Sequence, residues 1–126
     1  MEYNRAYGDF LQSQSWDYFS TITCKYDVNK NTNRKNMDRM VSYINKKVGD
    51  YSMFWVAEWH STRTSIHNHL LFRGDLKRII NAYWTRNRLG DSKGLKHLEY
   101  DSTKGASYYI SKHIDKQVDY DYVWGK

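Results

Sequence analysis

The stretch that decides the fold runs from residue 51 to residue 72, YSMFWVAEWHSTRTSIHNHLLF. Two runs rich in aromatic and aliphatic residues, 51–60 and 66–72, flank the polar segment STRTS. That pattern predicts two antiparallel strands joined by a short loop, with large side chains covering the sheet faces. Neither run approaches the roughly 20 apolar residues that a membrane helix requires.

Upstream, WDYFSTITC at 16–24 suits a pleated surface better than a helix, and Cys24 reads as a buried strand thiol. The polar run DVNKNTN at 27–33 then breaks the chain. Thr32 or Asn33 can cap a helix whose apolar positions are Met37, Met40, Val41, Ile44 and Val48, with Gly49 at its end. Downstream, Arg73-Gly74-Asp75 closes the second strand of the hairpin, and Leu76, Ile79, Ile80, Tyr83 and Trp84 form the apolar stripe of a second helix. Asp75 sits where the helix dipole favours an anion, and Gly90 is the expected stop. LKHLEY at 95–100 predicts another strand. Asp101 or Ser102 would cap a third helix over about Thr103 to Asp115, and VDYDYVW at 118–124 would add an edge strand. The order β-α-β-β-α-β-α-β predicts an α+β fold with a central, largely antiparallel sheet and helices on its faces.

Composition narrows the function. At 126 residues the chain is expected to be one domain over 1–126, and the absence of proline excludes collagen-like and proline-rich chains. A single cysteine excludes an internal disulfide and a Cys-rich zinc site, and no cationic segment followed by an apolar run marks a targeting signal. Twenty Lys and Arg against fourteen Asp and Glu give a net charge of +6, most of it in residues 60–126, which suits a polyanionic partner.

The chemistry concentrates in AEWH and HNH. Alternation along a strand puts Glu58 and His60 on one face, and His67 and His69 on one face of the next strand. Antiparallel pairing superposes those faces only when partner numbers sum to an odd value. A sum of 127 would set Glu58 opposite His69 and His60 opposite His67, collecting carboxylate and imidazole ligands in one small volume. The alternative is that Glu58 is solvated and the histidines are ordinary hydrogen-bonded sheet residues. In ASYYISK, Lys112 lies three residues after Tyr109 and four after Tyr108, so helical spacing permits either pairing and does not choose a nucleophile.

In combination these features resemble the catalytic domain of Rep-type HUH endonucleases, which initiate rolling-circle replication in small viruses and plasmids. YFSTIT at 18–23 is similar to their first motif, Glu58 with His67-Asn68-His69 to their second, and Tyr109-Ile110-Ser111-Lys112 to their third. The resemblance implies an HUH/RRM-like nuclease fold. It also implies that His67, His69 and Glu58 are ligands of Mg²⁺ or Mn²⁺, Tyr109 is the nucleophile and Lys112 is a charged partner near metal or phosphate. His60 is then an outer donor to those ligands or an alternative ligand. Asn68 stands where the family has a large hydrophobe, which implies a less apolar opposite side of that strand or a side-chain hydrogen bond there.

The implied reaction is nicking and joining of single-stranded origin DNA, or of a hairpin nick site, through a 5′-phosphotyrosyl intermediate. Arg63, Arg73, Lys77, Arg78, Arg86, Arg88, Lys93 and Lys96 are the candidate phosphate contacts. Trp55, Trp59 and Trp84 are expected mostly to pack in the core. No Walker sequence is present, so helicase activity would come from a host or separately encoded protein. The expected location is the cytoplasm, or the host cytoplasm or nucleoid, with no membrane partner; the oligomeric state is left open. Two other readings stay in play: a nonenzymatic single-stranded nucleic-acid-binding protein and a related single-tyrosine transposase.

Overall fold

The strand that carries His67 and His69 lies in the middle of a five-stranded sheet. The computed structural model describes residues 9–59, 65–105 and 117–125. In chain order its elements are β1 (Tyr18–Thr23), α1 (Lys30–Lys47), β2 (Tyr51–Trp59), β3 (Ile66–Arg73), α2 (Lys77–Arg86), β4 (Leu95–Glu99) and β5 (Gln117–Gly125). The sheet order is β4-β1-β3-β2-β5, and every neighbouring pair is antiparallel.

This order follows from two interleaved crossovers. β1 connects through α1 to β2 with β3 inserted between them, and β3 connects through α2 to β4 with β1 inserted. Split β-α-β units of this kind put both helices on the same side of the sheet when each crossover has the usual right hand. Met37, Met40 and Ile44 of α1, and Ile80 and Trp84 of α2, bury with Leu76 against Ile22, Met53, Trp55, Leu70 and Phe72. Residues of opposite parity, Phe54, Val56 and Leu71, face the other way and pack with Leu11 and Trp16. β2 and β3 are therefore covered on both faces, which is why they read as apolar runs with little alternation.

The ends of α1 and α2 differ from the sequence expectation. Asn29 caps α1, accepting a hydrogen bond from the Thr32 amide at 2.8 Å. Asn33 is instead fully buried and exchanges two 2.9 Å amide hydrogen bonds with Asn68. The Cys24 thiol also donates to Asn33, and burial pushes its pKa up to about 11. α2 stops before Gly90. Arg88 takes a left-handed conformation at φ 59°, with its amide bonded to the Thr85 carbonyl and the Leu89 amide to the Trp84 carbonyl, a Schellman ending built on arginine. Gly90 is needed for close approach: a Cβ there would lie 2.4 Å from both the Thr23 carbonyl and the Trp84 indole nitrogen.

The expected third helix has not begun by Gly105. Residues 102–104 form a turn in which Asp101 accepts from the Thr103 amide and hydroxyl, and Gly105 follows at φ 79°. The remainder of that expected helix, with Tyr108, Tyr109 and Lys112, lies outside the described residues, as do His60 and Arg63. At the far edge, Arg34 of α1 ties down β5 by a two-pronged contact with Asp119 and a 2.8 Å contact with Asp121, while its guanidinium covers the Trp55 ring. No described helix is long and apolar enough to cross a membrane.

Candidate active site

On the face turned away from α1 and α2, β3 presents His67 and His69. Their neighbours on β1 are Thr23 and Thr21, in direct cross-strand register. Thr23 Oγ1 lies 2.8 Å from His67 Nδ1, and Thr21 Oγ1 lies 3.1 Å from His69 Nδ1. A Thr-x-Thr strand is thus matched to a His-x-His strand, one hydroxyl for each imidazole. A hydroxyl can donate or accept, so this arrangement fixes ring orientation while serving either neutral tautomer.

β2 supplies the carboxylate from the other side. Its register sets Glu58 opposite His67 and Val56 opposite His69, so partner numbers sum to 125. The expected parity holds, but the pairing with a sum of 127 does not. The ladder closes at Trp59 and Ile66, which removes His60 from the strand. Glu58 reaches diagonally, and its Oε1 lies 2.9 Å from His69 Nε2. Their side chains are only 14% and 9% exposed, so the contact is largely shielded from water. A register shift between Ala57 and Glu58 on the β5 side puts a bulge beside the carboxylate, a device that re-aims side chains near sites.

The floor of the site is aromatic and aliphatic. Phe19 stacks parallel to His69 with ring centroids 6.0 Å apart, and the two imidazoles are themselves 6.0 Å apart and 26° from parallel. Imidazole nitrogen with carboxylate oxygen is a donor set suited to a divalent cation, and the threonine contacts are the outer support such ligands use. The Glu58–His69 pair forms the nucleus of such a site with His67 alongside. Among the described residues, no group of three His, Cys, Asp or Glu side chains is already drawn together as a closed cation cage.

The basic candidates divide by face. Lys96 lies opposite Thr21 on the histidine face. Lys77, Arg78 and Arg86 belong to α2 on the other face, with Arg88 just beyond its end and Lys77 over the Tyr18 ring. Arg73, at the end of β3, is paired with Asp50, and Lys93 lies in the 3₁₀ turn before β4. Trp55 and Trp84 are fully buried as expected, whereas Trp59 is 45% exposed. The residues that sequence reasoning missed are Thr21 and Thr23. Their two-residue spacing equals that of the histidines, but it acquires meaning only once β1 is known to lie beside β3.

No curated protein and no solved structure matches the chain. A family model for replication-associated protein of the ORF2 type does match, over residues 17–118. That span runs from the residue before β1 to the second residue of β5 and takes in the whole threonine, histidine and glutamate arrangement. The antiparallel α+β sheet agrees with it, and the chain belongs to this Rep-associated HUH nuclease family.

Proposed function

We propose that the chain is a divalent-cation-dependent endonuclease and strand transferase that nicks single-stranded origin DNA and starts rolling-circle replication. The observation that carries this reading is the shielded 2.9 Å contact between Glu58 and His69, with both histidines anchored through Nδ1 to threonines, inside a span matched by a replication-associated family.

His67, His69 and Glu58 would hold Mg²⁺ or Mn²⁺, which supplies charge neutralisation at a nonbridging phosphate oxygen. The threonines keep each imidazole turned so that Nε2 faces the carboxylate side, and the apolar floor limits water around the pair. Tyr109 is the nucleophile. Its phenol oxygen bonds to phosphorus, the bond from phosphorus to the 3′ oxygen breaks, and the phenolic proton is lost as that oxygen leaves as a 3′-OH. The DNA end remains as a 5′-phosphotyrosine, and attack by another 3′-OH reverses the exchange and joins strands. Lys112, one turn beyond Tyr109 in helical spacing, adds positive charge near the phosphate. Lys96, beside Thr21, is placed to contact the strand as it crosses the histidine face.

The test is the variant His67→Ala/His69→Ala, assayed on a short single-stranded origin library with Mg²⁺ or Mn²⁺. Cleavage is expected to disappear while phosphate-driven binding persists. Undiminished cleavage after removal of adventitious metal would overturn the proposal. Binding by the parent protein with no covalent product under any metal would favour the nonenzymatic reading.

A further inference from the structure

The positive charge of this chain is sorted by layer. α1 carries six Lys and Arg against the single acid Asp38, and α2 carries three against none. Those 28 residues hold a formal +8, more than the +6 of the entire chain, so the rest of the sequence is slightly acidic. The excess lies on the face of the sheet opposite the histidines.

It is also oriented outward. Lys35, Arg39 and Lys46 are spaced at four and seven residues and share one stripe of α1, on the side away from buried Met37, Met40 and Ile44. All three are exposed, as are Arg78 and Arg86 of α2. The helices form one surface, joined at the Tyr43 and Tyr83 rings 5.3 Å apart. Asp38 is bonded to Arg34, which itself faces the β5 carboxylates and not the stripe. At 18 residues α1 is about 27 Å long, which spans the phosphates of most of one duplex turn.

From this we infer that the α1 and α2 layer is a second DNA-binding surface, for the phosphate backbone of duplex DNA flanking the nick site. Single strands are favoured by aromatic platforms that stack bases. None of the exposed large hydrophobic residues among those described, Phe10, Tyr26, Trp59, Leu98 and Trp124, lies on either helix. A surface of cations without exposed rings suits phosphates alone. The single strand would then be handled on one side of the sheet and the double strand on the other. This inference goes beyond the cleavage reading and does not depend on it.

The experiment compares the parent with Lys35→Ala/Arg39→Ala/Lys46→Ala, and with Arg78→Ala/Arg86→Ala, for binding to a 20-base-pair duplex and to an oligothymidine of equal length. EDTA is present throughout, so cleavage plays no part. The α1 variant should bind duplex at least about tenfold more weakly at low salt, and its log-log salt slope should fall by about 2 to 3, near 0.9 for each phosphate no longer neutralised. Oligothymidine binding should change less than about twofold, as should cleavage of a short single strand in a separate metal-containing assay. The α2 variant should show a smaller duplex loss of the same kind, and melting curves report that both variants are folded. Unchanged duplex affinity and slope in both variants would overturn the inference, and so would an equal loss on oligothymidine.

Discussion

Thr21 and Thr23 make the most specific demand on individual side chains. If their hydroxyls hold the imidazoles, Thr21→Val or Thr23→Val, which keep shape but remove the oxygen, should weaken Mn²⁺ binding by about 10 to 100-fold. The corresponding serine variants should restore it. Titration followed by electron paramagnetic resonance measures the affinity, and imidazole nitrogen NMR of the metal-free protein reports the ring contacts separately. Unaltered imidazole spectra in the valine variants would remove the threonines from this role. Asn33 and Asn68 form a second strict requirement, since each completes the other's buried amide. Asn68→Leu strands Asn33 and should cost about 1–3 kcal/mol in urea denaturation, with a double-mutant cycle against Asn33→Leu showing coupling. The sequence made the unusual Asn68 visible and allowed for a hydrogen bond behind it. Its partner was hidden because Asn33 lies 35 residues away and had the look of a helix cap.

Among the elements, β1, β4 and α2 are joined through His97. Its Nδ1 lies 2.6 Å from Ser20 Oγ, and its Nε2 lies 2.7 Å from Asn81 Oδ1. Burial, reinforced by Lys77, holds its pKa below the ordinary 6.5. Because the folded value is depressed, the unfolded chain takes up the proton first, so this contribution is present above pH 6.5 and is lost as pH falls through the folded value. Urea denaturation at pH 7 and pH 5 should show that loss, with a shallower pH dependence in His97→Gln. Gly90→Ala drives a methyl group into the contact between the Trp84 indole and the Thr23 carbonyl and should cost about 1–3 kcal/mol, read from the urea midpoint. Strand and helix identities were legible because apolar spacing is local. The hairpin register was not: parity follows from the two-residue repeat of a strand, but the pairing depends on where the loop closes, and that happened one residue before His60.

For the molecule as a whole, the sheet separates two kinds of surface. One face brings β1, β2 and β3 together so that threonine, glutamate and histidine meet, and the other carries the helices and their basic excess. The sequence revealed the positive charge but assigned it by chain position, with most of it after residue 60; folding redistributes it by layer, bringing the early helix α1 beside α2. The three motifs were readable in order because each is short, whereas the bond between the first and second required the topology. Tyrosine-mediated DNA transfer on this fold is tested most directly by incubating the protein with a single-stranded origin oligonucleotide and Mg²⁺ or Mn²⁺, then mapping the DNA-linked peptide by mass spectrometry. The expected product is a metal-dependent 5′-phosphotyrosyl adduct on Tyr109, absent from Tyr109→Phe and retained by Tyr108→Phe. An adduct on Tyr108 that forms normally in Tyr109→Phe, or cleavage of the origin strand with no covalent adduct at all, would contradict it.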